Sequence, residues 1–132
     1  MENIKFTEKG LYTMLINLSN HSQEFWDKAQ MRQAIDKYGS VVDVPFPNVL
    51  PTASCKEIEQ QAKDLFERLK SEYGHSATVF HIMGEMTLTF HLVNLLKAAG
   101  YTCVASTSER KVSYTEDGTK NVVFKFVRFR EY

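Results

Sequence analysis

The stretch ATVFHIMGEMTLTFHLVNLLKAAGYTCVAS, residues 77–106, decides the fold because it contains a complete strand–helix–strand unit. The apolar run 77–83 predicts a buried strand, and residues 84–87 form the turn that follows it. Leucines at helical spacing over residues 88–99 predict a helix that ends at a glycine. Residues 101–106 (YTCVAS) predict the next strand. A crossover helix between two buried strands of one sheet indicates that these strands are parallel.

Two similar units precede this one along the chain. Residues 11–18 (LYTMLINL) and 40–46 (SVVDVPF) predict strands, with a helix between them from about Ser22 to Tyr38. A second helix begins at Ser54 and Glu57, which have the spacing of a capping box. A glycine follows each of the two helices. The apolar residues at helical spacing in the first helix are Met31, Ile35 and Tyr38.

The last part of the chain predicts a hairpin. After residue 106 the chain extends to the turn Glu116-Asp117-Gly118-Thr119 and returns as a strand over residues 121–130. The whole order predicts one α/β domain over residues 1–132, with a mostly parallel open sheet between two helical layers. We expect the strand order 2-1-3-4-5 with an antiparallel hairpin at the C-terminal edge. Residues 1–10 are expected to form a flexible lead-in.

Composition excludes several classes of protein. Sixteen Lys and Arg balance sixteen Asp and Glu, so the chain has no overall field to attract duplex DNA or an acidic membrane. Its apolar runs are far shorter than the roughly 18 residues that span a bilayer. The N-terminal residues lack the apolar segment of a signal peptide, so we expect a cytoplasmic protein. Two cysteines are too few for a disulfide framework or a zinc knuckle.

The expected topology predicts where a ligand would bind. In an open parallel sheet the site lies beyond the carboxyl ends of the strands, where the winding direction reverses. That reversal is expected between the first and third strands, and the segment after the fourth strand lies beside it. The residues delivered there are Asn17, Ser19, Asn20 and His21, then Gly84, Glu85, Met86 and Thr87, and finally Ser106, Thr107, Ser108 and Arg110.

Two groups of residues in this set suit phosphate oxygens. Thr87 could cap the third helix, whose free N–H groups favour an anion, and Gly84 lets the backbone approach a ligand closely. The hydroxyls of residues 106–108 form the second group with Arg110, since a guanidinium binds two oxygens at once. Each group also has a structural explanation, as a helix cap with a tight turn and as a polar loop. The sequence leaves both explanations open.

Three residues are candidates for catalysis: His21, Glu85 and Arg110. A neutral His21 imidazole could orient or deprotonate a hydroxyl, although a loop histidine without function fits equally well. Glu85 could act as an acid or a base, or simply face water. His81 lies within the third strand and is predicted to be a packed, hydrogen-bonded core histidine. The histidines lack the spacing of metal ligands, so neither a metal nor a cofactor is predicted.

The final strand, VVFKFVRFRE, alternates aromatic and basic residues over positions 122–131. Such a pattern can bind single-stranded nucleic acid by stacking. It can equally protect the edge of a sheet with charge, or form a subunit interface.

Several segments together resemble the small, single-domain CRISPR-associated proteins built on the CARF-like variant of the Rossmann-type fold. They are MLINLSNH (14–21), VDVPFP (42–47), FHIMGEMT (80–87) and CVASTSERKV (103–112), leading to FVRFREY (126–132). The resemblance implies a homodimer that recognises a cyclic oligoadenylate in type III CRISPR antiviral signalling, with the ligand across the two-fold axis. Some members are ring nucleases that cleave the ligand without metal through its own 2′-hydroxyl, and others only bind it.

Carried over by position, the ligand loops of that family are residues 19–21, residues 84–87, and residues 106–108 with Arg110. Two other functions compete with this one. The first is an enzyme acting on a nucleoside or a sugar phosphate through Glu85 or His21. The second is a non-enzymatic interaction module whose contact surface is the strand 124–130.

Overall fold

The computed structural model describes residues 12–132, so the expected flexible lead-in over residues 1–10 lies outside the described residues. The strands are β1 (Met14–Ser19), β2 (Ser40–Pro45), β3 (Thr78–Met83), β4 (Thr102–Tyr114) and β5 (Lys120–Glu131). The helices are α1 (Lys28–Tyr38), α2 (Cys55–Tyr73) and α3 (Met86–Ala98), and a short 3₁₀ turn, Gln23–Phe25, precedes α1.

The five strands form one sheet in the order β2-β1-β3-β4-β5. The first four are parallel to their neighbours, and β5 runs antiparallel to β4 at the edge. The predicted α/β class, strand order and edge hairpin are therefore confirmed. Because the winding direction reverses between β1 and β3, the chain segments that follow these two strands lie side by side.

Alternation along the central strands divides the core into two layers. On β1, Ile16 and Leu18 pack on one side of the sheet with residues of α2 and α3. Leu15 points to the opposite side and packs with Ala34 and Tyr38 of α1. The sheet is thus covered by α2 and α3 on one face and by α1 on the other. Within residues 12–132, no helix combines the length and the apolar character needed to cross a membrane.

The predicted start of α2 is confirmed and that of α1 is wrong. Ser54 and Glu57 form a complete capping box, each side chain bonded to the other residue's backbone N–H. The first helix begins at Lys28 rather than near Ser22, because Asp27 caps it by accepting a hydrogen bond from the backbone N–H of Gln30. The residues that this helix buries are Ala34 and Tyr38, whereas the predicted Ile35 is 47% exposed.

The predicted end of the fourth strand at Ser106 is also wrong, because β4 continues to Tyr114. Parallel pairing with β3 involves only residues 102–104 of β4, but β5 pairs with the rest of the strand as far as Lys120. A two-stranded ribbon therefore extends beyond the sheet, and we call residues 108–126 the arm. Its turn lies at the predicted Glu116–Thr119, with Gly118 in the left-handed region at φ +85°.

Candidate functional site

A row of polar side chains crosses the sheet on the side that α1 covers. Asp43 of β2, Asn17 of β1 and His81 of β3 stand at the same register, each the fourth residue of a six-residue strand. Asn17 and His81 are each only 2% exposed. Polar groups buried this deeply need hydrogen bonds to offset the loss of water.

The hydrogen bonds of Asn17 determine the tautomer of His81. Asn17 Nδ2 donates to Oδ1 of Asp43 and to the carbonyl of His21, both at 2.9 Å. Its Oδ1 accepts from the Ser19 hydroxyl at 2.8 Å and lies 2.8 Å from Nδ1 of His81. Two acceptors already face Nδ2, so the amide cannot be reversed, and Oδ1 requires a donor from the ring. Nδ1 of His81 therefore carries the proton.

The other ring nitrogen of His81 is then an acceptor. Nε2 lies 2.6 Å from Oγ of Ser106, so the hydroxyl donates to the imidazole. Gln30 Nε2 donates to the same Ser106 oxygen at 3.1 Å. The rings of Trp26 and Phe129 each pack edge-on against His81, with centroids 5.5 Å away. Burial in these surroundings lowers the pKa of His81 to about 4, so the ring is neutral near pH 7.

Ser106 and His81 border a cavity of about 380 Å³, which we call the polar cavity. It lies beyond the carboxyl ends of β1 and β3, beside β4. Phe25, which is 74% exposed, and Trp26 supply aromatic surface, whereas the other groups are mainly hydroxyls, amides and imidazoles. Among the residues described, its lining contains no Lys, Arg, Asp or Glu. The lining residues are Ser19, Asn20, His21, Phe25, Trp26, Gln30, His81, Met83, Gly84, Ser106 and Ser108.

The structure brings together half of the predicted site residues. Those that line the polar cavity are Ser19, Asn20, His21, Gly84, Ser106 and Ser108. Asn17 lies behind them in the buried hydrogen-bonded row. Thr107 instead donates to the carbonyl of Arg128, as expected for a residue that points to the opposite face from its strand neighbours. Arg110 stands four residues beyond Ser106 on the arm, about 13 Å along an extended strand.

The sequence offered Thr87 as the cap of α3, but in the structure the cap is Glu85. Its carboxylate accepts hydrogen bonds from the backbone N–H groups of Leu88 at 2.8 Å and Thr87 at 3.0 Å. These bonds lower the pKa of Glu85, so its carboxylate is ionised near pH 7. The negative charge at this helix end repels an external anion. In addition, the Glu85 carboxylate already accepts hydrogen bonds from the free backbone N–H groups that an anion would use.

Glu85 and Met86 border other cavities. Glu85 lines a cleft of about 490 Å³ together with Asn20 and Gly84. Met86 is 83% exposed and lines an apolar groove of about 480 Å³ beside Phe90. Gly84 borders all three cavities, so the turn after β3 separates them.

Sequence reasoning missed the part of His81 that faces the cavity. The prediction of a packed, hydrogen-bonded histidine is confirmed, but its Nε2 also reaches the cavity through Ser106. A signal was available, since β1, β2 and β3 each interrupt an apolar run with one polar residue at the fourth position. Gln30 and Trp26 gave no comparable signal, because both lie within the helix predicted from about Ser22 to Tyr38, whereas Trp26 precedes α1 in the structure.

A second group of polar residues lies on the opposite side of the sheet. One donor atom from each of Cys55, Glu59 and His91 lies within 4.8 Å of the others. Cys55 and Glu59 belong to α2 and His91 to α3, so no local spacing in the sequence could reveal this cluster. The expected absence of a metal stays a prediction.

One comparison with known proteins gives a match. The model of a family described as "Uncharacterized protein MJ1673 family" matches residues 13–130, which include every residue that lines the polar cavity. Comparisons with curated proteins and with solved structures found no match.

Proposed function

We propose that this chain, which belongs to the Uncharacterized protein MJ1673 family, binds a cyclic oligoadenylate or a related nucleotide in the polar cavity. The observation that carries the proposal is an aromatic wall facing a set of hydroxyls and amides at the reversal point of the sheet. The setting is type III CRISPR signalling in the cytoplasm, without a cofactor, duplex DNA or a membrane. The resemblance of the strand ends to CRISPR-associated CARF-like proteins supports the choice of ligand.

The aromatic wall suits a purine. Phe25 exposes most of its side chain, and Trp26 lines the same cavity and packs edge-on against His81. Stacking of a base on an exposed aromatic side chain contributes about 1–3 kcal/mol. The side-chain amides of Asn20 and Gln30 line the same cavity and can pair with the edge of an adenine.

The neutral lining favours an oligonucleotide over a mononucleotide. A single phosphate in the polar cavity would meet only hydroxyl and amide donors, since none of its described lining residues is a Lys or Arg. Along β4, however, Ser106, Ser108 and Arg110 alternate onto one face, so a longer ligand can run from the cavity to a guanidinium. A ligand of several linked nucleotides spans that distance of about 13 Å.

A homodimer is part of this proposal, and the arm supplies its interface. On the face that continues from the polar cavity, Phe124 lies opposite Arg110, and Val122 lies opposite Val112. Phe124 is 65% exposed. A two-stranded ribbon alone is marginally stable in water, so a partner for this apolar face is expected. A second copy suits it best, because Glu109, Arg110, Lys111 and Lys125 give the arm charges of both signs.

Calorimetric titration of the protein with cyclic tri-, tetra- and hexa-adenylate in EDTA tests the proposal, with AMP as the mononucleotide control. We expect one cyclic ligand to bind more tightly than AMP. Phe25→Ala should weaken that binding about tenfold, because it removes a stacking surface. Met86→Ala is the matched control, since it removes a similarly exposed apolar side chain outside the polar cavity. Absence of binding to all three cyclic ligands would contradict the proposal.

A further inference from the structure

We infer that Ser106 is a covalent nucleophile and that His81 is its general base. The choice of a nucleotide phosphodiester as the substrate rests on the function proposed above, whereas the assignment of the nucleophile rests on geometry alone. The outcome is a hydrolase that cleaves its ligand through a protein side chain rather than through a hydroxyl of the ligand.

The geometry is that of an activated hydroxyl. Ser106 Oγ donates to Nε2 of His81 over 2.6 Å, and the opposite nitrogen of the same ring donates to Asn17 over 2.8 Å. A nucleophile bonded to a base, with a third group that holds the base in one tautomer, is the arrangement that nucleophilic enzymes share. The residue in the third position is an asparagine here, as in cysteine proteases of the papain type.

Ser106 differs from the other hydroxyls at the cavity. Ser19 donates to Oδ1 of Asn17, so its proton is directed away from the imidazole. Ser108 lines the cavity, but the hydrogen bond to Nε2 of His81 is made by Ser106. The Gln30 amide also donates to Ser106 Oγ at 3.1 Å, and a donor in this position stabilises the oxygen as it loses its proton.

The reaction proceeds in two balanced steps. Oγ of Ser106 attacks the phosphorus of the diester while its proton passes to Nε2 of His81. The bond from phosphorus to one sugar oxygen breaks, that oxygen keeps the electron pair, and it takes the proton from Nε2. Water then attacks the phosphoserine diester and gives a proton to Nε2. Oγ of Ser106 leaves and recovers that proton, so one water is consumed and a phosphate monoester is released.

A fluorophosphonate probe tests the nucleophile without a nucleotide, because the same attack at phosphorus displaces fluoride. We expect one label per chain on Ser106, found by intact mass and peptide mapping. Ser106→Ala should remove the label, and Ser113→Ala, a matched control on the same strand but outside the polar cavity, should keep it. His81→Gln should slow labelling by about 100-fold or more, the contribution of a general base. No label on the wild-type protein, or equal labelling of Ser106→Ala, would overturn the inference.

Far-UV circular dichroism shows whether each variant folds. If His81→Gln is unfolded, the comparison of Ser106→Ala with Ser113→Ala decides, since neither change adds volume or charge to the core.

A second experiment separates this inference from the proposed function. Incubation with cyclic tetra-adenylate and with its 2′-deoxy counterpart should give cleavage of both, because the serine route does not use the 2′-hydroxyl. Cleavage of the ribose form alone, with a 2′,3′-cyclic phosphate product, would overturn it. Labelling of Ser106 without binding of any adenylate would leave the nucleophile in place and remove the nucleotide. Binding of an adenylate without labelling of Ser106 would leave the nucleotide in place and remove the nucleophile.

Discussion

Oδ1 of Asn17 lies 2.8 Å from Nδ1 of His81, and the two residues stand directly opposite each other on β1 and β3. This pairing at the same register holds the imidazole in one orientation beneath the polar cavity. Because Asn17 is also bonded to Asp43, the hydrogen-bonded row crosses three adjacent strands, from the exposed Asp43 to the buried His81. The sheet register that builds the core therefore also places the buried His81 ring between Asn17 of this row and Ser106 at the polar cavity.

The buried imidazole predicts a loss of stability in acid. Burial lowers the pKa of His81 from 6.5 to about 4, so below pH 6.5 the unfolded chain takes up a proton that the folded chain excludes. The free energy of unfolding should fall as the pH drops from about 6.5 to about 4, by about 3 kcal/mol from this group, and this loss should stop below about pH 4. Urea titrations across this pH range measure it.

His81→Gln provides the control for that measurement, since glutamine retains hydrogen-bonding groups but does not titrate. The carboxylates titrate in both proteins, so the difference between the two pH profiles isolates the histidine. Parallel profiles for the wild type and the variant would show that His81 takes up its proton equally well in the folded chain.

Gly84 and Phe46 predict a second effect on stability. A Cβ at position 84 would collide with the ring of Phe46, which packs against the core on the α2 and α3 side. We expect Gly84→Ala to lower the free energy of unfolding by about 1–3 kcal/mol, the usual range for overpacking. Chemical denaturation measures the loss.

The second variant in this pair is Phe46→Ala, which removes the colliding ring. In that background Gly84→Ala should lower the free energy of unfolding by less than half as much as it does in the wild type, because the new methyl group has space. An equal loss in the free energy of unfolding in the two backgrounds would mean that the collision with Phe46 does not cause the effect of Gly84→Ala.

Much of the fold could be predicted from the sequence because its signals are local. The capping box of Ser54 and Glu57 and the glycines after the helices mark boundaries that depend on a few neighbouring residues. The alternation of strands and helices then requires a parallel sheet. Ser106 and Arg110 show where this reasoning fails: no local signal reveals that β5 pairs with every residue between them, so the fourth strand was predicted to end too early.

The candidate site could be predicted only in its position. The strand ends gave Ser19, His21 and Ser106, which the structure brings into one cavity. The hydrogen bond between His81 and Ser106 depends on the relative placement of β3 and β4, which a single sequence does not contain. Glu85 illustrates the same limit at a helix start, since the choice between Glu85 and Thr87 as the cap depends on the path of the preceding turn.

The arm predicts the oligomeric state. The wild-type protein should elute as a dimer in size-exclusion chromatography with light scattering at about 50 μM, a concentration well above the Kd of a specific interface. Phe124→Asp should give a monomer, because it puts a charge on the apolar face of the arm. Val123→Asp, a similarly exposed neighbour on the opposite face, should remain dimeric. A monomeric wild type, or equal dissociation of both variants, would exclude this face as the interface.

The cluster of Cys55, Glu59 and His91 should not bind zinc tightly. Cys55 Sγ lies 3.6 Å from a Glu59 oxygen, and that hydrogen bond and the carboxylate charge raise the pKa of the thiol, whereas zinc requires the thiolate. A closed zinc site takes four protein ligands, and Lys63 borders the same cavity as Glu59 and His91 with a positive charge. Ten equivalents of zinc should therefore change the thermal midpoint by less than about 1 °C. A larger rise that disappears in Cys55→Ala would establish a metal site, since that variant removes the thiol and leaves the other two donors.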